Sequence, residues 1–174
     1  AGVRALACVT THSVREAVRR QAATPIAASA LGYGLTAAAL LGSLLKVQQR
    51  IAVMVDGHGP LGKLVTEGDA YGHIRGYVAN PTLPWASAVE EGDVASALGQ
   101  RGLLTVVKDL GVKDLYESVV PIQTGELDTD LVYYLIRSEQ VPSLVEIGVQ
   151  LDEKGNIAVA GVERKKSTMN STER

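Results

Sequence analysis

The sequence predicts an α+β fold: two antiparallel β-meanders, or small sheets, with helices packed between or against them. Three observations carry that prediction. A charge-free stretch runs from Ile26 to Leu45 behind a helix-start signal. Period-two alternation follows it in consecutive segments, first over residues 50–78 and again over 103–120. Strand-like segments also follow one another directly rather than alternating with helices, which argues against a doubly wound sheet.

Taken in order, the first nine residues read as a strand, and its apolar run Val3–Val9 contains the single cysteine, Cys8, read as a small core residue. Ser13-Val14-Arg15-Glu16 has the form of a capping box, predicting a short helix to about Ala22. Thr24-Pro25 supplies an N-cap and a proline at the first helical turn, and Lys46 suits the negative end of that helix. The helix is long enough to cross a bilayer. Its content is mild, however, mostly Ala, Gly, Ser and Thr, and a buried central helix is the better reading. Ile51, Val53 and Val55 then alternate, Asp56-Gly57 marks a turn, and residues 62–66 and 73–78 form further strands around a turn at Glu67-Gly68-Asp69. Residues 80–100 are irregular apart from a short helix at Val94–Leu98. Strands are expected at 103–108 and 115–120, and a helix capped by Asp128 running through Leu131, Tyr134 and Leu135. A final hairpin spans Leu144–Leu151 and Ile157–Gly161 around the turn Asp152–Asn156. Residues 1–161 thus form one folded domain, and 162–174 a polar tail or linker stub, which contains the chance sequon Asn170-Ser171-Thr172.

Composition narrows the function classes. The 174 residues carry a net charge of −2, and the last twelve hold a local +2, leaving the body at −4, which argues against a nucleic-acid surface. One cysteine excludes an internal disulfide framework or a multi-cysteine zinc site within these residues. The chain opens on Ala1 without a basic, apolar leader.

Motifs for chemistry are near misses. Gly57–Lys63 has the G-x-x-x-x-G-K spacing of a phosphate loop, but Leu64 stands where a hydroxyl must hold magnesium, and Pro60 removes an amide. A glycine-rich hairpin turn explains it better. Asp56, His58, Glu67, Asp69 and His73 share one meander, yet their spacing imposes no coordination geometry. His12 reads as helix-entry surface, and Ser138-Glu139-Gln140 has no obvious base, so the sequence offers no catalytic residue and no metal ligand set. Strand edges and apolar patches are the more informative surfaces, suited to unfolded chains or to a dimer sharing a sheet.

The order of motifs resembles the redox-regulated holdase chaperones, the thirty-three-kilodalton heat-shock protein family. The alanine-rich helix around Thr36–Gly42 resembles theirs, as do Asp56-Gly57-x-Gly59-Pro60-Leu61-Gly62, then Arg75-Gly76-Tyr77-Val78 before Asn80-Pro81. Gly99, Gly102 and Leu103–Asp109 follow, then Tyr116, Gly125, Asp130-Leu131, Tyr134 and Ser138-Glu139-Gln140-x-Pro142-Ser143. The resemblance covers roughly residues 2–161. It implies an ATP-independent core that binds unfolding or oxidatively damaged client proteins in the cytoplasm, or in an organelle for a processed eukaryotic form. It implies a homodimer, without nucleic-acid or membrane partners. It also implies a zinc module with four cysteines beyond the core, which these residues do not supply; the expectation is therefore a holdase without the redox switch. The client-binding residues expected from the alternating apolar segment are Leu144, Val145, Ile147 and Val149, with parts of the 26–45 helix. The competing readings are a structural or assembly subunit on the same fold, and an enzyme using the Gly57–Lys63 hairpin.

Overall fold

The computed structural model describes residues 3–84 and 93–162. The chain forms α1 (Thr11–Gln21), α2 (Pro25–Gly42), β1 (Arg50–Asp56), β2 (Leu64–Asp69) and β3 (Ile74–Val78). It continues through α3 (Val94–Leu98), β4 (Leu103–Asp109), β5 (Tyr116–Pro121), α4 (Leu127–Arg137), β6 (Ile147–Leu151) and β7 (Ile157–Val162). The mixed helices and antiparallel strands are the predicted α+β class. The pairing is more economical than two separate meanders. β4 and β5 join the first meander on its β1 side, making one sheet in the order β3-β2-β1-β4-β5, and β6-β7 is a separate hairpin.

Helix α2 lies between these two sheets, which explains why it carries no charge on any side. Thr24 is extended and Pro25 occupies the first turn, as predicted. The Thr24 hydroxyl does not cap the helix, however; it donates to the Leu83 carbonyl at 2.7 Å. Small residues let both sheets approach. A side chain on Gly34 would meet Leu64 and Thr66 of β2 within 2.9 Å, and one on Gly32 would meet Val149 of β6 at 2.8 Å. The helix is apolar and long enough to cross a membrane, but its faces are buried against protein. It ends at Gly42 rather than running to Lys46: the bonds that follow, Leu44 N–H to the Leu41 carbonyl and Leu45 N–H to that of Gly42, span three residues and tighten the chain out of the α-helix.

Helix α1 begins at Thr11, so Ser13 lies inside it and the capping box does not form. The start is decided by tertiary contacts. Thr10 donates its N–H to the Ala160 carbonyl, and its hydroxyl bonds that of Thr36 at 2.6 Å. Glu16 turns instead toward Arg19 and Arg20, which hold its carboxyl down at about 2. The expected first strand is also absent among the described residues: Val3–Ala7 are exposed, and only Val9 makes a bridge, to Gly161. Too few of its backbone groups find partners for a ladder. Cys8 is half-buried rather than core, and burial pushes its thiol up, away from nucleophilic use.

The β2–β3 turn falls at 70–73, three residues past the expected Glu67-Gly68-Asp69, because the Asp69 carboxylate accepts the N–H groups of Tyr71 and His73. Helix α4 starts at Leu127, so Asp128 lies inside its first turn rather than at the N-cap, and Glu126 at that position makes no side-chain cap bond. The helix adds Leu127, Leu131, Tyr134 and Leu135 to the core shared with α2 and the large sheet. The Asp152–Asn156 turn is as predicted, closed by the Asp152 carboxylate on the N–H groups of Lys154 and Asn156. Val162, expected as the first residue of the tail, instead ends β7, paired with Ile147; the rest of the expected tail, 163–174, and its sequon lie outside the described residues.

Candidate client-binding surface

The five-stranded sheet has two chemically distinct faces. Ile51, Val53 and Val55 of β1, Leu64 and Thr66 of β2, and Leu104 and Val106 of β4 are buried toward the helices. The alternate residues form the other face. Register places Tyr77, Val65, Met54, Thr105 and Val119 in one row across all five strands. The adjacent row is Arg75, Glu67, Ala52, Val107 and Glu117, with Arg75 and Glu67 ion-paired at its end. Beyond the first row, Leu103 pairs Pro121. Tyr77, Leu103 and Val119 are each about half exposed, at 52, 50 and 49%. The first row is thus largely apolar, interrupted by Thr105, and the row beside it ends in charge.

The glycine-rich turn has a structural role. Gly57 and Gly59 lie directly on the backbone of α3's end, where Gly59 N–H donates to Leu98 and Leu61 N–H to Ala97. The Pro60 carbonyl accepts from the Asn80 amide at 2.8 Å, and Gly62 takes a left-handed φ of 69°. Asp56 faces Lys63 at 3.4 Å and His58 at 3.6 Å. Two of the amides a phosphate would need are therefore already bonded to protein, and β2, not a helix, follows. Asp69 pairs with His73, and Glu67 with Arg75, so the five carboxylates and histidines of this meander do not converge. Among the described residues no three His, Cys, Asp or Glu side chains come together as a metal site. A zinc centre of the implied kind needs four thiolates, and the chain holds one.

Ser138, Glu139 and Gln140 form the exit from α4. Ser138 closes the helix on the Tyr134 carbonyl, and Gln140 turns the chain with a left-handed φ of 57°. Glu139 is a pinned acceptor, bound by Lys108 of β4 at 2.6 Å and by the hydroxyl of fully buried Tyr134 at 2.5 Å. Burial raises the Glu139 carboxyl, but the bonds from Lys108 and Tyr134 outweigh it and leave it below its ordinary 4.5. The same burial and the Glu139 contact raise the Tyr134 phenol. A carboxyl depressed in the folded state stabilises above its unfolded pKa, and that contribution disappears as pH falls through the folded value. Glu139→Gln is thus expected to cost about 1 kcal/mol at neutral pH. It should also flatten the loss of stability below pH 4.5. Urea midpoints at neutral and acid pH check this, and equal deficits at both would remove the ion pair as the cause.

Of the four residues expected from the last hairpin, Leu144 is 83% exposed and Val145 is partly buried. Ile147 is 3% exposed, and Val149 packs on Gly32 of α2. The alternation that singled them out is the alternation of a strand laid on α2, so half of the set faces the core. Two other features take their role only from the tertiary structure. The outer-face row joins residues up to 65 positions apart and has no local signal. Asp130, buried within α4, accepts the N–H groups of Gln123, Thr124 and Gly125, which shapes the entry to that helix. In the sequence Gly125 and Asp130 stand among the family-like motif residues, but nothing local gives the carboxylate this role.

Comparison with known proteins agrees with this architecture. The family model described as Hsp33 protein matches residues 1–162. The 33 kDa chaperonin of Geobacter sulfurreducens is 48% identical over 159 residues, which are 91% of this chain and 53% of that protein. The one from Staphylococcus carnosus is 47% identical over 161 residues, 91% of this chain and 54% of its own length. The crystal structure of the Thermotoga maritima 33 kDa chaperonin, a heat shock protein 33 homolog, superposes with a TM-score of 0.77 at 40% identity. That match covers 85% of this chain and 51% of the Thermotoga chain. The chain therefore spans about half the length of the curated relatives it matches. These relatives are chaperones rather than enzymes. With the family model matched over residues 1–162 and relatives at 47–48% identity, the chain belongs to the Hsp33 family.

Proposed function

We propose that this chain is an ATP-independent holdase core of the cytoplasm, which captures unfolding proteins on the apolar outer face of its five-stranded sheet. The observation that carries this reading is the row Tyr77-Val65-Met54-Thr105-Val119 with half-exposed Leu103 beside it. Such a face binds by area rather than by a fixed constellation, which suits clients of many sequences. Exposed Leu144 and partly buried Val145 extend the apolar surface on the opposite side of α2; Ile147 and Val149 become available to a client only if the hairpin leaves the helix. Dimerisation, with a sheet or an element shared between two copies, would enlarge the same area. Since a single thiol cannot form the zinc switch, client holding by these residues should not depend on oxidation.

Light scattering of a heat-unfolded client tests this. The chain should retard aggregation equally with and without peroxide. Tyr77→Ser with Val119→Ser should weaken the effect several-fold while shifting stability by less than about 1 kcal/mol, because both side chains are surface residues. Retardation only after peroxide would overturn oxidant independence. No retardation would leave a structural or assembly subunit as the better reading.

A further inference from the structure

The two edges of the five-stranded sheet are protected differently. β5 ends in Pro121, which has no N–H to offer a further strand. β3, with sequence Ile-Arg-Gly-Tyr-Val, has no such residue, and an unprotected strand edge is a template for another chain. Its guard comes from elsewhere. The side-chain amide of Gln21 donates to the Gly76 carbonyl at 3.1 Å and accepts the Val78 N–H at 3.2 Å. These two groups belong to alternate residues of β3 and point away from β2. Ala79 donates its N–H to the Lys63 carbonyl, which sets Ala79, Tyr77 and Arg75 as the residues bonded to β2 and turns the backbone groups of Val78 and Gly76 outward. A primary amide is the side-chain group chemically closest to a peptide bond, and here it sits where the peptide group of a sixth strand would sit.

We propose that the β3 edge is a docking edge for an extended polypeptide segment, held shut by Gln21. The guard is built to be removable. Gln21 is the last residue of α1, and the next residue, Ala22, leaves the helix in a left-handed conformation with φ 49°. Helix ends fray at little cost, and fraying of this turn withdraws the amide and uncovers both backbone groups. An incoming strand would recover the same two hydrogen bonds and gain further ones along β3, and its alternate side chains would continue the apolar row beyond Tyr77. The backbone supplies affinity without regard to sequence, which is what capture of unfolding clients demands. Only this biological use rests on the holdase reading; strand docking itself does not.

The test uses the whole chain, its Gln21→Leu and Gln21→Ala variants, and a labelled peptide of about six residues alternating Val and Thr, which favours extended structure. Fluorescence anisotropy should show both variants binding the peptide roughly tenfold more tightly than the unaltered chain, the equivalent of about one competing hydrogen bond removed. The alanine variant adds no large apolar surface, so a matching gain identifies the edge rather than stickiness. Amide exchange at Val78 should be faster in the variants than in the unaltered chain and should slow again with peptide. An N-methylated peptide, unable to pair, should show no gain. Equal affinity in all three proteins, or equal binding of the N-methylated peptide, overturns the proposal. Tighter peptide binding by variants that fail to retard client aggregation supports the docking edge while removing the holdase reading. Client holding with unchanged peptide affinity does the reverse.

Discussion

Gly99→Ala is expected to cost on the order of 4 kcal/mol and to lower the melting temperature by roughly 8–16 °C. Two effects add. Gly99 has φ 93° and ψ 155°, a region reached essentially by glycine alone, where another residue costs about 1–3 kcal/mol. A Cβ built there would also stand 2.0 Å from the Gly57 carbonyl oxygen and 2.5 Å from the Gly59 nitrogen. Those atoms are backbone and cannot rotate aside, so the glycine-rich turn would have to lift off the end of α3, breaking the Gly59–Leu98 and Leu61–Ala97 hydrogen bonds. Leu61, which that turn buries completely, would lose its seat. Gly72→Ala is the control. Gly72 has a similar φ of 82° but nothing within 4 Å of its Cβ position, so its substitution should cost only about 1 kcal/mol. Thermal unfolding of both variants separates conformation from contact, and equal losses would show that the close crossing is not what the glycine serves.

Asp130→Ala is expected to destabilise the chain by about 3 kcal/mol in urea unfolding, with an unchanged denaturant slope. The carboxylate is 3% exposed and accepts from Gln123, Thr124 and Gly125 backbone N–H groups at 2.9–3.0 Å and from the Thr124 hydroxyl. It organises the passage from β5 into α4, after Ile122 has paired its N–H with the Gly102 carbonyl. Removing it strands donors that face inward, and the buried Gly125 N–H loses most. Asp130→Asn keeps the shape and one acceptor, but turns an amide N–H toward a backbone N–H, so about half the loss should remain. A loss below about 1 kcal/mol for the alanine variant would mean that water replaces the carboxylate and that the loop is held by its other contacts.

The motif order carried the family, and the architecture explains why those motifs are where they are. Asp56–Gly62 is a turn laid on another backbone, Arg75-Gly76-Tyr77 is an edge strand on the outer face, and Ser138-Glu139-Gln140 is the exit from α4. The proposed client surface was less accessible to such reading. Alternation in the last hairpin looks the same whether its apolar residues face a client or α2, and Val149 against Gly32 shows which it is. The capping box failed for a related reason. Ser13 and Glu16 have suitable chemistry and spacing, yet Thr10 is anchored to Ala160 and Thr36, residues far away in sequence, and starts the helix early.

By itself, the sequence determined what depends on neighbours along the chain. Two-residue alternation located the strands, Thr24-Pro25 started α2, Asp152–Asn156 closed the last turn, and a charge-free helix had to be buried on every side. One cysteine excluded a zinc switch within these residues. Only the tertiary structure decided that β4 and β5 complete one sheet with β1–β3, that Met54 and Val119 share a row on its outer face, and that the Gln21 amide bonds the β3 edge. The physical reason is the range of the interactions. Periodicity and capping act over three or four residues, whereas strand pairing, outer faces and edge protection are set by which distant surfaces come together around α2.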